Sequence, residues 1–160
     1  MQIRPAEPRD DDGIWRILAP VLRAGETYAL PADMSRADAL AYWCSPVHEV
    51  FVAEKEGRVV GTYYMRPNQQ GGGRHVANCG YVTAEDAAGR GIGRAMGIHS
   101  LDHARARGFR SMQFNFVVAT NDGAVRLWQS LGFAIVGRLK EAFHHPRLGY
   151  VDALLMQRLL

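Results

Sequence analysis

Apolar positions along this chain recur at two periods, and the two alternate. Residues 2–4 read as a short strand, and residues 10–22 as a helix with an acidic first turn and Ile14, Ile17, Leu18 and Val21 on one stripe. Ser35 is a natural N-cap for a second helix running to Trp43, with residues 25–31 as the loop between them. Residues 50–55 and 58–65 flank Glu56-Gly57 and predict a hairpin; residues 67–74, with three consecutive glycines, predict a mobile connection. Then come a strand at 76–83, a helix at 91–107 stopped by Gly108, a strand at 111–119, a helix at 121–131 stopped by Gly132, and closing strands at 133–136 and 151–159. Strand and helix alternating through the second half predict a mixed α/β (α+β) fold around a partly parallel sheet with right-handed crossovers.

Composition narrows the class without choosing a chemistry. A chain of 160 residues, 48% hydrophobic, is sized for one well-buried domain over residues 1–160. Its net charge of +3 is spread along the chain, which fits a polyphosphate cofactor better than a nucleic-acid groove. Cys44 and Cys79 form no C-x-x-C pair and read as buried thiols. No apolar run approaches the ~18 residues of a membrane helix and no leader pattern opens the chain, so a cytoplasmic protein with neither membrane nor nucleic-acid partners is expected. His99 and His103 stand at i and i+4, but the Glu of H-E-x-x-H is missing; a solvated helix face is expected there, and no metal.

The chemistry concentrates at Ala87-Ala-Gly-Arg-Gly-Ile-Gly-Arg-Ala-Met96, between the fourth strand and the third helix. Glycines here let backbone approach a ligand, and the uncapped N–H groups and dipole of the helix start favour an anion. A dinucleotide G-x-G-x-x-G would place Arg94 or Met96 where its last glycine belongs, and a Walker A loop needs Gly-Lys-Ser/Thr. Arg90-Gly91-Ile92-Gly93-Arg94-Ala95 instead resembles the pyrophosphate loop of the GCN5-related N-acetyltransferases (GNAT), Gln/Arg-x-x-Gly-x-Gly/Ala, with Ala88 where Gln or Arg is usual. Residues 121–133, Asn-Asp-Gly-Ala-Val-Arg-Leu-Trp-Gln-Ser-Leu-Gly-Phe, resemble the family's second signature. The resemblance implies a sheet splayed between its fourth and fifth strands, helices on both faces, and homodimers. It also implies acetyl-CoA as cosubstrate, with Tyr81, Val82 and Thr83 along the pantetheine, Arg90 to Ala95 at the pyrophosphate, and Asn121 and Trp128 beside the cofactor. Trp128 stands where many members carry the Tyr that protonates the CoA thiolate, which an indole N–H cannot do.

Three asparagines point to the acceptor. Asn78 and Asn115 interrupt apolar strands, where an unpaired buried amide costs about 1–3 kcal/mol, and Asn121 opens a helix as a good N-cap. A backbone bond for each is the structural alternative. The segments 75–80, 112–121 and 143–152 locally resemble acetyltransferases acting on the proline analogue azetidine-2-carboxylate, in which the matching asparagines bind the imino acid. The resemblance therefore implies a small-molecule amine acceptor held by Asn78 and Asn115, and the loop Glu26-Thr-Tyr-Ala-Leu30 offers Glu26 and Tyr28 as further acceptor contacts. Transfer proceeds by direct attack, with Asn121 near the thioester and a fourth-strand N–H near Val82 for the oxyanion. Glu26, His144 and His145, the last two in a late loop, are the candidates to take the acceptor's proton. A protein or peptide amine acetyltransferase and a non-catalytic acetyl-CoA-binding module are the alternatives.

Overall fold

The computed structural model describes all 160 residues. Strands β1 (Gln2–Pro5), β2 (Glu49–Lys55), β3 (Arg58–Pro67), β4 (Val76–Thr83), β5 (Ser111–Val118), β6 (Ala134–His145) and β7 (Gly149–Leu159) form one sheet in the order β1-β2-β3-β4-β5-β7-β6. Every neighbouring pair is antiparallel except β4 and β5. Helices α1 (Asp11–Ala24) and α2 (Arg36–Trp43) cover one face; α3 (Ile92–Ala106) and α4 (Asp122–Ser130) cover the other. This is the mixed fold expected, with helices on both faces. No helix is long and apolar enough to cross a membrane.

Local chemistry explains the element ends. Ser35 accepts the amide of Asp38 at 3.1 Å as the N-cap of α2, and Asn121 accepts that of Ala124 at 3.3 Å as the N-cap of α4. Helix α1 buries Ile14, Ile17, Leu18 and Leu22, each stabilising by roughly 1.5–3 kcal/mol relative to an exposed position, and so runs past Pro20 to the left-handed Gly25. Gly61 on β3 lies against Ile92 and Met96 of α3, and Gly13 of α1 lies against Val59; a Cβ at either would sit 2.9 Å from a side-chain atom opposite. Val59 and Gly61 face opposite helices because the β2–β3 register steps from Glu54↔Val59 to Ala53↔Gly61, leaving Val60 as the extra residue of a bulge.

The sheet parts in its middle. β4 and β5 pair only at Val76↔Ser111 and Ala77↔Met112, after which the strands diverge. β5 carries a bulge at the same level, Asn115 and Phe116 together opposing the one residue between Leu154 and Met156 of β7. The last two strands differ from expectation. β6 continues nine residues beyond Val136, through 137–145, so His144 and His145 lie on a strand paired with Tyr150 and Gly149 rather than in a loop.

Candidate active site

The divergence of β4 from β5 opens a cavity of about 390 Å³ lined by both strands, the α1–α2 loop, and the start of α4. Which backbone groups face it follows from the ladder. Asn68 donates to the Val76 carbonyl and Ala84 to the Val60 carbonyl, so the even-numbered residues of β4 are those hydrogen-bonded to β3. The amides and carbonyls of Cys79, Tyr81 and Thr83 therefore point away from β3, into the gap. Val82, expected to offer its N–H to the oxyanion, pairs with Thr62 instead, and the amides that face the gap are those of its neighbours Tyr81 and Thr83. The side chain of Val82 is buried against Leu18 and Val21 of α1.

Side chains bridge the gap where the ladder stops. The Asn78 amide donates to the Gln113 carbonyl at 2.9 Å, replacing a missing interstrand bond. Asn115 accepts from Gln113 Nε2 at 2.9 Å and donates to Asn68 Oδ1 at 2.6 Å. Asn78, Asn115 and Asn121 all line the cavity, so the two strand asparagines do reach a common pocket. Each has an intramolecular partner, but Asn78 Oδ1 and Asn121 Nδ2 make no bond within the chain. On the α3 side, Trp128 lies 4.7 Å from Tyr81 and 4.8 Å from Phe114, ring centroid to centroid, and Tyr81 bonds Ser100 Oγ of α3 at 2.7 Å. Trp128 is buried in this aromatic cluster and its ring also lines the cavity. The Tyr28 hydroxyl donates to the Tyr81 carbonyl at 3.0 Å, tying the first loop over the gap.

Electrostatically the cavity holds one cation among neutral groups. Burial pushes the Tyr28, Tyr64 and Tyr81 hydroxyls far up and the Cys79 thiol up to about 12, so all stay protonated near neutrality. Arg66 of β3, paired across the ladder with Asn78, carries the charge; its Nε is buried without a partner. No carboxylate and no imidazole line the cavity. Arg66, Tyr42, Tyr64 and Phe116 are lining residues that the sequence pattern did not single out, although an arginine closing the apolar run of β3 was a visible signal.

Beyond the C-terminal end of β4 stands α3, opened by Gly91 at φ 78° with no side-chain cap. Only Ala95 of its first amides is taken, by the Gly91 carbonyl at 2.9 Å, so the N–H groups of Ile92, Gly93 and Arg94 are free. A Cβ at Gly91 would meet nothing within 4 Å, whereas one at Gly93 would lie 3.3 Å from Leu127 of α4. The free amides around open space fit a pyrophosphate, and the unpaired edge of β4 fits the amides of a pantetheine arm. Arg90 is exposed, while the Arg94 guanidinium turns aside to Ser130 Oγ at 3.0 Å, leaving only its backbone toward the anion site.

Several expected partners lie elsewhere. Glu26 pairs with Arg147 at 3.0 Å and borders a separate groove with Thr27, Thr83 and Arg58. His145 is buried with Nδ1 accepting the Arg147 and Leu148 amides at 3.2 Å, and exposed His144 stacks on Tyr150. None of the three candidate bases reaches the acceptor cavity. His99 and His103 are half-buried rather than solvated, bonded to the Tyr63 hydroxyl at 2.7 Å and Glu49 at 2.8 Å. Cys79 is buried as expected and Cys44 is exposed.

The model of the Acetyltransferase (GNAT) family matches residues 15–133. The chain is 30% identical over 153 residues to the N-acetyltransferase aca1 of Schizosaccharomyces pombe, covering 85% of this chain and 73% of that one. It superposes on a GCN5-related N-acetyltransferase from Kribbella flavida with a TM-score of 0.95 and 42% identity, covering 99% of this chain and 97% of that one. It has the fold of a phosphinothricin acetyltransferase from Sinorhizobium meliloti solved in complex with AcCoA, with a TM-score of 0.87 and 24% identity, covering 99% and 88% of the two chains. The chain thus shares its fold with a protein solved with AcCoA bound. By sequence and by fold, the chain belongs to the GNAT acetyltransferase family.

Proposed function

We propose that this acetyl-CoA-dependent N-acetyltransferase moves the acetyl group to the amine of a small acceptor, an imino or amino acid such as a proline analogue, by direct attack in a ternary complex. The observation that carries this is the cavity itself, with aromatic walls from Tyr28, Tyr42, Tyr64 and Phe116 on a volume of about 390 Å³, suited to a small molecule rather than a polypeptide. When bound, acetyl-CoA supplies a thioester carbonyl that an amine can attack. On the cofactor side, the backbone of Tyr81 and Thr83 takes the pantetheine, Arg90 to Ala95 surround the pyrophosphate, and Trp128 flanks the arm. On the acceptor side, Asn78 Oδ1 accepts the acceptor's N–H and so aims its nitrogen across the gap. Asn121 Nδ2, with the Tyr81 or Thr83 amide, donates toward the oxygen where negative charge develops.

Proton movement follows from what lines the site. With no carboxylate or imidazole present, the acceptor ammonium loses its proton to water in the open part of the cavity. As the C–N bond forms and the C–S bond breaks, the nitrogen gives its remaining proton to the same water, and the leaving thiolate, of pKa about 8.5, takes its proton from water with no acid from the chain, consistent with Trp128 in place of the usual Tyr. Release of free thiol from acetyl-CoA, measured against azetidine-2-carboxylate, hydroxyprolines, acidic and basic amino acids, polyamines and a lysine peptide, tests the proposal. The best kcat/KM is expected on an imino or amino acid. A best rate on the peptide would make the chain a protein acetyltransferase, and CoA binding without release on any amine would make it a binding module.

A further inference from the structure

Arg66 has no use inside the protein. It makes no ion pair and no side-chain hydrogen bond, and its Nε is buried without a partner. The other arginines lacking both, Arg74, Arg90, Arg110 and Arg126, are exposed to water, whereas Arg66 is half-buried on the wall of the acceptor cavity. A planar, permanently charged guanidinium that is half-buried on a cavity wall with no counter-charge is a receptor for a planar anion bonded by two parallel hydrogen bonds. It lies on the Tyr42 and Tyr64 side of the sheet, across from α3, so a cofactor phosphate at the start of α3 does not account for it.

We propose that Arg66 is the carboxylate anchor of the acceptor site, and that the acceptor class is therefore the free α-amino or α-imino acids. This rests on the small-acceptor function proposed above and specifies it. The spacing fits an α-acid. Arg66 and Asn78 are direct cross-strand partners in a hydrogen-bonded pair, so their side chains rise side by side from one face. A carboxylate on Arg66 then places the adjacent nitrogen of an α-amino acid at Asn78 Oδ1, at the mouth of the gap. The tyrosine and Phe116 walls take the aliphatic body, and no lining carboxylate competes for the guanidinium.

The test compares L-azetidine-2-carboxylate with its primary amide, and L-proline with L-prolinamide, in the wild type, Arg66→Gln and Arg66→Lys. The amides carry more free amine at a given pH, so a preference for the carboxylates cannot come from basicity. The wild type is expected to favour the acids in kcat/KM by roughly ten- to a hundredfold, as a lost charge-assisted contact predicts. Arg66→Gln is expected to bring that ratio to about one and Arg66→Lys to an intermediate value, with the KM for acetyl-CoA unchanged and the melting temperature not lowered. A ratio that survives in Arg66→Gln, or a wild type indifferent to the carboxylate, overturns the anchor. Should Arg66→Gln not fold, Arg66→Lys decides. Calorimetric binding of L-proline to the enzyme–CoA complex separates the two proposals. Proline bound by the wild type but not by Arg66→Gln, without turnover, upholds the anchor and sinks the transfer reaction. Turnover of amines lacking a carboxylate, with no proline binding, does the reverse.

Discussion

The two ends of the Asn121 amide have different employment. Oδ1 caps α4 through the Ala124 amide at 3.3 Å, while Nδ2 has no partner in the chain and borders the cavity. Substitution separates the duties. Asn121→Asp keeps an oxygen at the cap and adds favourable charge at a helix start, so its melting temperature is expected at or above wild type while kcat falls ten- to a hundredfold, the roughly 1.5–3 kcal/mol of a donor to developing charge. Asn121→Ala loses both, and the missing cap costs about 1 kcal/mol, read as a fall of roughly 2–4 °C by calorimetry in a domain this size. Wild-type kcat in folded Asn121→Asp would reduce Asn121 to a cap. The lining also sets a pH dependence. Burial holds Tyr28, Tyr64, Tyr81 and Cys79 protonated and pushes His48, stacked on Tyr64, toward its neutral imidazole, so none of these groups changes charge between pH 7 and 8. Since only the neutral amine attacks, kcat/KM for the acceptor should rise tenfold per pH unit across that range toward the amine's own pKa. A plateau setting in near pH 6.5 would instead reveal a protein base that the cavity does not contain.

Among the elements, the start of α3 was readable because its backbone demands an unusual sequence. Glycine is the residue most at ease with the φ of 78° at residue 91, and the approach of Leu127 to within 3.3 Å of a Cβ at residue 93 explains the second glycine by packing. Gly91→Asn and Gly91→Asp test the anion site with matched shapes. Both side chains tolerate the left-handed region and both cap, so Gly91→Asp should be at least as stable as Gly91→Asn, its charge favoured by the helix start. Coulomb repulsion at about 4 Å is worth roughly 1–4 kcal/mol between water and a protein surface, so Gly91→Asp should bind CoA at least about fivefold more weakly than Gly91→Asn. Equal dissociation constants by calorimetry would remove the pyrophosphate from this helix. Conversely, β6 was barely legible. It is a sheet-edge strand exposed along most of its length, and register shifts at 135/137 and 139/143, with Glu141 at φ 51°, break the alternation that identifies a strand. The same cause hid half of the acceptor site. Asn115 was visible as a polar intruder in an apolar run, but the bulge that brings Phe116 to the cavity depends on pairing with β7, and Tyr42 and Tyr64 come from elements far apart in the chain.

At the scale of the whole molecule, the sheet is two blocks, β1 to β4 and β5 to β7, whose backbones join at two register pairs. What holds them together past Ala77 is side chain: the Asn78–Gln113 bond, the Tyr81–Phe114 edge contact at 5.8 Å, and α4 with Trp128 beneath both. A sheet that simply continued would bury its amides in a ladder and leave no room for an extended ligand. The parting instead leaves alternate groups of β4 waiting for one, and this alternation is measurable residue by residue. In amide hydrogen exchange followed by NMR, Gly80 and Val82, bonded to β3, should exchange slowly with or without CoA. Tyr81 and Thr83, facing the open gap, should exchange fast in the free protein and become protected when CoA is added. Saturation at a hundredfold over the dissociation constant should also raise global stability by about 2.7 kcal/mol, so the slow amides slow further, but uniformly. Protection gained at Tyr81 and Thr83 beyond that uniform increment means the ligand itself has become the strand's partner. Fast exchange at Val82, or an increment no larger at Tyr81 than at Val82, would place the cofactor away from the edge of β4 and leave the splay of the sheet without its explanation.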